Sequence, residues 1–567
     1  MAKQVIVIGA VALGTKAACR LKRLSPETEV IVLDKDEKIS YGGCGIPYYI
    51  SGDVAEAEAL QSTAFHMVRD AEFFRKIKGL TVMNGTEVLS IDRKNKQVLA
   101  RTTKGEDLTL PYDELVIGTG SRPRNLNIPG QELNRIYPVG NLQDAINIKA
   151  LIAEGQVETA VIVGAGFIGL EMAEALSDMW GIDTSVIEMA DRIMPGNVSR
   201  PMAQMAMKAL ENNGVSIYLE ERVLRFEGDG RVERVVTDKR TLDADIVIMA
   251  VGIQPCSELA VGAGLEIGKT GAIKVNERLQ TSDPNIYAGG DCAEVINLVS
   301  GLPGFYPMGS IANRHGRIIG TNLAGGHAQI EGAIGSFVVK LFDTSLAGTG
   351  LTLDAAKKAG LDAMSVRTGA LDRAHFYPHK EFMFLELVFE RESRRILGIQ
   401  GFGTSGDAMV GRINAVAAIL KYKPVLADIS NMEFAYSPPF SSAMDIVNAL
   451  ANVAENALEG RLKTMDHDTF NQLWANDADT DVFYLDCRER GDATAFLDKY
   501  PGRWHNIPQG EIKDRVDEIP KGKNIVLLCN TGMRSYEAQL NLREMGIDTT
   551  RSVEGGMKML QTWGLDI

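Results

Sequence analysis

The sequence predicts an α/β protein of several domains, two of them doubly wound. Three observations predict it. At 567 residues the chain is too long for one hydrophobic core, and about 100 to 200 residues per domain implies about three to five units. A strand, a glycine turn, a helix and a second strand run from residue 4 to 34 as "QVIVIGAVALGTKAACRLKRLSPETEVIVLD", and the pattern returns from 159 to 189 as "TAVIVGAGFIGLEMAEALSDMWGIDTSVIEM". Past residue 330 the text changes to alternating strands, and near the C-terminus a further strand–loop–helix follows.

Composition narrows the partners. The 60 Lys and Arg against 74 Asp and Glu leave a net charge of −14, a field that repels nucleic acid and anionic membrane surfaces. A chain without an apolar run of about 18 residues is expected to have no membrane span. The N-terminus enters a strand at once, without the zones of a secretory signal, and a cytoplasmic location is expected. The six cysteines are scattered, so reduced thiols are expected, and no metal site.

In the first glycine loop Gly9 and Gly14 hold the outer positions of a dinucleotide fingerprint, Val11 takes the middle one, and Asp34 ends the next strand. "LVIGTGSRP" (115–123) and "IVIMAVGIQP" (246–255) are strands that end in small-residue turns carrying Gly120 and Gly252. "TSDPNIYAGGDCAE" delivers Asp291 after two glycines, where it can bind a cofactor hydroxyl. The second loop is complete: Gly164, Gly166 and Gly169 form G-x-G-x-x-G after a strand, and Glu188 closes the following strand. These glycines let a pyrophosphate approach a helix N-terminus. Glu188 would bind a ribose diol and repel a 2′-phosphate, favouring NADH over NADPH, with Arg192 near enough to soften that preference.

This combination resembles the two-dinucleotide flavoprotein disulfide reductases over roughly residues 1 to 450. The resemblance implies an FAD-binding domain at 1–120 and 276–328, an NAD(H)-binding domain at 150–275, and an α+β dimerisation domain at 331–450 that makes a homodimer. "FYPMGSIANRHGRIIGTNLAGG" then is similar to the family's flavin-facing helix, which puts Ala312 beside the cofactor. Residues 451–464 read as a polar, helix-prone linker. Residues 465–567 carry "CNTGMRS", similar to the Cys-x-x-Gly-x-Arg loop of rhodanese domains, with Cys529 as the sulfur carrier and Arg534 as its positive charge.

Cys44 sits alone in "SYGGCGIPYYISGD": the positions five before and five after are Ile39 and Tyr49, so the local C-x4-C pair of glutathione reductase-like members is absent. The stretch is similar to "S-F-x-N-C-G-x-P-Y" of the coenzyme A-disulfide reductase and NADH-dependent persulfide reductase group, many of which carry a C-terminal rhodanese domain. Gly43 replaces the group's asparagine and Leu13 its second glycine. The group places tyrosines of the partner subunit at the active site, which implies roles for Tyr377 and Tyr436. Arg20, Lys22, Arg23 and Ser40 either meet the phosphates of coenzyme A or, for the basic three, form a solvated helix face.

The implied activity is NADH-dependent reduction of persulfide or polysulfide sulfur at Cys44, favoured as a thiolate by the flavin and a helix N-terminus. The alternatives are a coenzyme A-disulfide reductase, an NADH oxidase or peroxidase, and a redox-sensing interaction protein. Peroxidases of that relation carry a histidine in the first glycine loop, and "GAVALG" has none.

Overall fold

The computed structural model describes residues 3–476 and 481–565. They fall into two compact units, Met1–Asp191 with Gly214–Ala333, and Arg192–Asn213 with Ile334–Ile567. Among the described residues no helix is long and apolar enough to cross a membrane.

The first unit holds two parallel five-stranded sheets. In one, Gln4–Ile8 is central and the order is Ile286–Ala288, Glu114–Ile117, Gln4–Ile8, Glu29–Leu33, Thr81–Met83. Successive strand residues face opposite sides, so Val5 and Val7 enter one core while Ile6 and Ile8 enter another. The second core is covered by a three-stranded antiparallel sheet, from which Val88, Ile91, Val98 and Ala100 point inward. In the other parallel sheet Thr159–Val163 is central, between Asp183–Ile187 and Ile246–Met249. Both strand orders are doubly wound, which puts each glycine loop at the carboxyl edge of its sheet, where ligands bind in such folds.

In the second unit an antiparallel sheet runs Phe337–Leu341, Thr344–Gly350, Ile396–Gly403, Phe382–Glu390, Ala363–Leu371. The helices Gly406–Leu420 and Ile446–Leu458 pack on it through Met409, Ile413, Val416, Leu450 and Ala454. The last sheet is parallel, in the order Thr464–Met465, Thr550–Val553, Asn524–Leu528, Val482–Asp486, Trp504–Asn506.

At two places the packing runs across the stretches delimited from the sequence. The stretch 451–464, read as a helix-prone linker, begins inside the helix Ile446–Leu458, where Ala451 and Ala454 are fully buried while Asn452, Glu455 and Asn456 are half-buried. Residues 192–213, expected within the NAD(H)-binding domain, pack with the second unit: the helix Arg200–Asn212 lies on Thr344–Gly350 and Ile396–Gly403 and buries Met202, Met205 and Leu210.

Candidate functional site

The two glycine loops share one construction. Gly9 and Gly164 have φ of +101° and +103°, and a Cβ on them would stand 2.2 Å from the Gly118 carbonyl oxygen and 2.4 Å from that of Ala250. Gly14 and Gly169 press their helices on the turns: an added Cβ would lie 1.8 Å from the Gly9 oxygen and 2.0 Å from the Gly164 oxygen. In each loop the residue after the first glycine donates its backbone N–H to the acid that ends the second strand, Ala10 to Asp34 at 2.6 Å and Ala165 to Glu188 at 2.8 Å. Both acids are thereby aimed at the loop mouth. Burial pushes the Asp34 carboxyl up, with the N–H groups of Asp36 and Ala10 pulling the other way.

Room for cofactor is left where the family pattern requires it. A Cβ on Gly166 or Gly120 would meet no protein atom within 4 Å, an open cradle at each loop. The turns carrying Gly120 and Gly252 are joined by a ribbon, Ser121–Pro123 against Ile253–Pro255. Ser121 donates its hydroxyl to Asp291 at 3.1 Å, and burial raises the Asp291 carboxyl. Ala312 is nearly buried beneath Gly290, whose Cβ would be 3.4 Å from that of Ala312. Leu13, in place of the second glycine, fills the space that Gly118, Gly289 and Gly290 leave: a Cβ on each of the three would lie 2.9, 2.6 and 3.4 Å from its side chain.

The helix Gly309–Leu323 brings its N-terminus to Cys44. It lies close on the helix Leu13–Leu24 because Gly316 and Gly320 face that helix's backbone, where added Cβ atoms would come within 2.6 Å of the Leu13 oxygen and 2.4 Å of the Ala17 oxygen. Cys44 is exposed in a tight turn, Gly43–Gly45, and its Sγ lies 3.8 Å from the Cβ position of Gly309. Gly42 donates to the Leu60 carbonyl at 2.9 Å and Gln61 to that of Ile39 at 2.9 Å, strapping the turn in place.

In the protein alone, burial first and then neighbouring carboxylates act against the thiolate expected at Cys44. Desolvation, then Glu171 and Asp291, push the Cys44 thiol up; the N–H groups of Cys44 and Gly309 pull it down by less. The helix-terminal half-charge is outweighed by loss of water and then by two carboxylates. Sequence reasoning missed Glu171 and Tyr48. Glu171 stands two residues after the last fingerprint glycine, and burial with Glu174 beside it raises its carboxyl to about 7. Tyr48 lies in this same group: burial, Glu171, Glu174 and Cys44 all raise its phenol. The signal was an acid on the inner face of the fingerprint helix and a tyrosine one turn after the cysteine. His315 is buried, accepts the Gly290 N–H at 3.0 Å and is held neutral with a pKa of about 4, a structural role.

The basic residues near the first loop are mostly engaged within the chain. Arg20 donates Nε to Thr321 Oγ1 at 3.1 Å, and Lys22 caps the carbonyls of Pro26 and Thr28. Arg23 is exposed. Ser40 is buried with φ of 52°, its N–H on the Ala10 carbonyl at 2.9 Å. Beside Glu188 a cavity of about 470 Å³ is lined by Met189, Asp191, Glu220, Arg222, Leu224 and Asp238. Arg192 pairs with Asp354 at 2.8 Å, which occupies the charge expected to soften the nucleotide preference.

In the second unit Tyr377 is half-buried and Tyr436 half-exposed, on two loops that lean together, with Ala374 N–H on the Pro438 carbonyl. A buried Arg412 holds both, pairing with Asp445 at 2.8 Å and donating to the Asp372 carbonyl at 2.9 Å. His375 and His379 are four apart but in a turn. Among the described residues no group of three or more His, Cys, Asp or Glu is placed to hold a metal ion.

At the rhodanese loop the buried Cys529 Sγ accepts N–H groups from Gly532 at 3.1 Å and Ser535 at 3.4 Å. Gly532, with φ of +104°, makes the turn that points these donors inward. Met557 N–H on the Cys529 carbonyl fixes the loop from behind, and Gly556 is required there, since its Cβ would lie 2.4 Å from that oxygen. Arg534 is half-buried beside the loop.

Comparison with known proteins agrees with this geometry. Residues 3–304 match the pyridine nucleotide-disulphide oxidoreductase family, 336–447 the dimerisation domain of that family, and 469–562 the rhodanese-like domain. The chain is 35% identical to an NADH oxidase of Methanocaldococcus jannaschii, over 80% of this chain and 98% of the relative. It is 36% identical to an NAD(P)H sulfur oxidoreductase (CoA-dependent) of Pyrococcus abyssi, over 80% and 98%. Among solved structures it is similar to an NAD-dependent persulfide reductase from A. fulgidus, with a TM-score of 0.92 and 37% identity over 98% of this chain and 99% of that one. The chain belongs to the pyridine nucleotide-disulphide oxidoreductase family, an FAD and NAD(P)H enzyme with the family's dimerisation domain and a rhodanese-like domain.

Proposed function

We propose that the enzyme is an NADH-dependent reductase of persulfide and polysulfide sulfur, coenzyme A persulfide included, acting in the reducing cytoplasm as a homodimer. The observation that carries this reading is the single exposed thiol of Cys44 at a helix N-terminus, beside a carboxyl near neutrality, in a chain that also holds Cys529 in a nest of N–H donors. The names of the sulfur oxidoreductase and persulfide reductase relatives support it.

Gly9, Gly14, Asp34, Gly120, Asp291 and Ala312 would hold FAD, and Gly164, Gly166, Gly169, Glu188 and Gly252 would hold NADH; together these cofactors supply hydride and an electron pair. The chain's residues do the rest. Cys44 as thiolate attacks a persulfide, R–S–SH, either taking the outer sulfur and releasing the thiol R–SH, or bonding the inner sulfur and releasing sulfide. Glu171 and Tyr48 hold protons beside the reacting sulfur, and the Glu171 carboxyl titrates in the range where it can give one to a leaving thiolate. Tyr377 and Tyr436 reach the partner's site, positioned by Arg412. Cys529, with Arg534, carries sulfane sulfur to the reductase site. Arg23, which is exposed, remains to meet coenzyme A, whereas Ser40 is buried and Arg20 and Lys22 contribute only by leaving their present partners.

A coenzyme A-disulfide reductase is the second reading, favoured by the same lone thiol, which must form a mixed disulfide with a small partner. Anaerobic NADH consumption with polysulfide, coenzyme A persulfide, coenzyme A disulfide and peroxide, beside Cys44→Ser, separates them. Fastest turnover on the sulfane acceptors, abolished in the variant, is expected. Preference for the disulfide or for peroxide would replace this reading with the second one or with an oxidase.

A further inference from the structure

Cys487 takes no part in the chemistry above, yet it is the direct sheet neighbour of Cys529. Strands Val482–Asp486 and Asn524–Leu528 run parallel with Asp486 beside Leu528, so the residues that follow them stand side by side. Cys487 donates its N–H to the Leu528 carbonyl at 2.8 Å. Neighbouring strands are about 4.8 Å apart, inside the roughly 4.4 to 6.8 Å between Cα atoms that a disulfide spans.

Side-chain direction agrees. Tyr484, Val526 and Leu528 face one core, while Leu485, Leu527 and Cys487 face the other, together with Ala538 and Leu542 of the helix Met533–Glu544. The Cys529 sulfur meets the start of that same helix, at Gly532 and Ser535. Both sulfurs are therefore on one face of the sheet, at one end of it, and both are buried. Of the charges that act on the Cys487 thiol, that of Cys529 is the foremost, ahead of the adjacent Asp486. Two thiols so placed form a pair.

We propose that Cys487 is a resolving thiol for Cys529: it discharges a persulfide that no acceptor has taken by closing a disulfide between the two. This rests on the reading of Cys529 as a sulfur carrier. The bond between Cys529 Sγ and the outer sulfur breaks, and a bond from Cys487 Sγ to Cys529 Sγ forms. The outer sulfur leaves with the bonding electron pair and the Cys487 proton, so an anionic persulfide and a thiol become a disulfide and HS⁻. The outer sulfur is reduced from the persulfide to the sulfide level, Cys487 Sγ is oxidised from thiol to disulfide, Cys529 Sγ keeps its level, and no external oxidant enters. Burial and the neighbouring charges keep Cys487 a protonated thiol at rest. Resolution is accordingly slow beside delivery, and the pair acts only on a persulfide left waiting.

The test uses the full, FAD-loaded chain carrying Cys44→Ser, loaded with thiosulfate or polysulfide, freed of excess donor and followed by peptide mass mapping without reductant. Expected is a linked peptide pair containing Cys487 and Cys529, appearing as the Cys529 persulfide decays and in step with sulfide release. With Cys487→Ala added, the persulfide should persist several-fold longer. Decay without the linked peptide, at a rate that Cys487→Ala leaves unchanged, overturns the proposal. A chain that takes no sulfur on Cys529 from either donor fails the carrier reading instead. In that case oxidation of the dithiol by diamide decides the pair: a Cys487–Cys529 link supports it, and its absence overturns it.

Discussion

Ala165 donates its backbone N–H to Glu188 at 2.8 Å, which fixes that carboxylate at the rim of the second glycine loop. Its other oxygen accepts from Ala190, so the charge is held in place before any nucleotide arrives. Asp191, Glu220 and Asp238 outnumber Arg222 around the adjoining cavity, so on the proposed NADH reading the site is expected to oppose a 2′-phosphate. Glu188→Ser should therefore lower kcat/KM for NADH about tenfold or more, the loss of a charged hydrogen bond worth about 1.5–3 kcal/mol, and raise it for NADPH. An unchanged ratio of the two would remove Glu188 from the specificity determinants.

Glu171 gives the pH dependence of the Cys44 thiol a definite sign. Its carboxyl, raised to about 7, is neutral below that pH and charged above it, and only the charged form pushes the cysteine up. Alkylation of Cys44 by iodoacetamide should match in the wild type and Glu171→Gln at pH 6 and run several-fold faster in the variant at pH 8. Linkage gives a second readout. The folded state holds this proton more tightly than the unfolded chain, whose carboxyl has the ordinary value of 4.5. The wild type thus loses stability as pH rises from about 4.5 through 7, and Glu171→Gln should lose less over the same range.

The glycines around Cys44 divide into fixed and replaceable. At Gly43 the nearest atom to an added Cβ is Tyr41 Cε2 at 3.9 Å, so Gly43→Asn is accommodated and should change stability by no more than about 0.5 kcal/mol. At Gly320 the obstacle is the Ala17 carbonyl oxygen, which belongs to a packed helix. Gly320→Ala should cost about 1–3 kcal/mol and loosen the helix whose N-terminus meets Cys44, read as a lower Tm and faster loss of FAD.

Arg412 is the buried anchor of the two tyrosine loops, and removing one member of such a pair strands the other's charge. Arg412→Ala should cost about 3–5 kcal/mol, seen in Tm. Tyr436→Phe should leave Tm unchanged because its ring is half-exposed, and, if its hydroxyl serves the partner's site as proposed, should lower turnover.

What the sequence disclosed and what it hid follow from the range of the interactions. Gly9, Gly164, Asp34 and Glu188 were legible because a strand, a tight turn and a following acid are encoded within about 30 residues. The rhodanese loop was legible for the same reason. Glu171 and Tyr48 were not, since what raises them is burial between segments over a hundred residues apart. Separation along the chain, though shorter, also hid Arg412, whose partners lie 33 and 40 residues away. The burial of Ala451 and Ala454 at the start of the helix-prone stretch was not legible either, because a helix with one polar face reads as solvated until its other face is seen packed.

The sulfur relay gives the sharpest test of why a reductase carries a rhodanese-like domain. Cys529 is buried and its Sγ accepts two N–H groups, a setting that suits an anionic persulfide formed with the terminal sulfur of a donor. Cys44, by contrast, is exposed. A small persulfide can reach Cys44 unaided, whereas polysulfide gains from being loaded first on Cys529 and delivered at the high local concentration that fusion provides. Cys529→Ser should then lower NADH turnover with polysulfide several-fold and spare turnover with a small persulfide. Equal loss with both acceptors would mean that Cys529 supports the fold rather than the transfer, and equal retention would make the domain a separate sulfurtransferase.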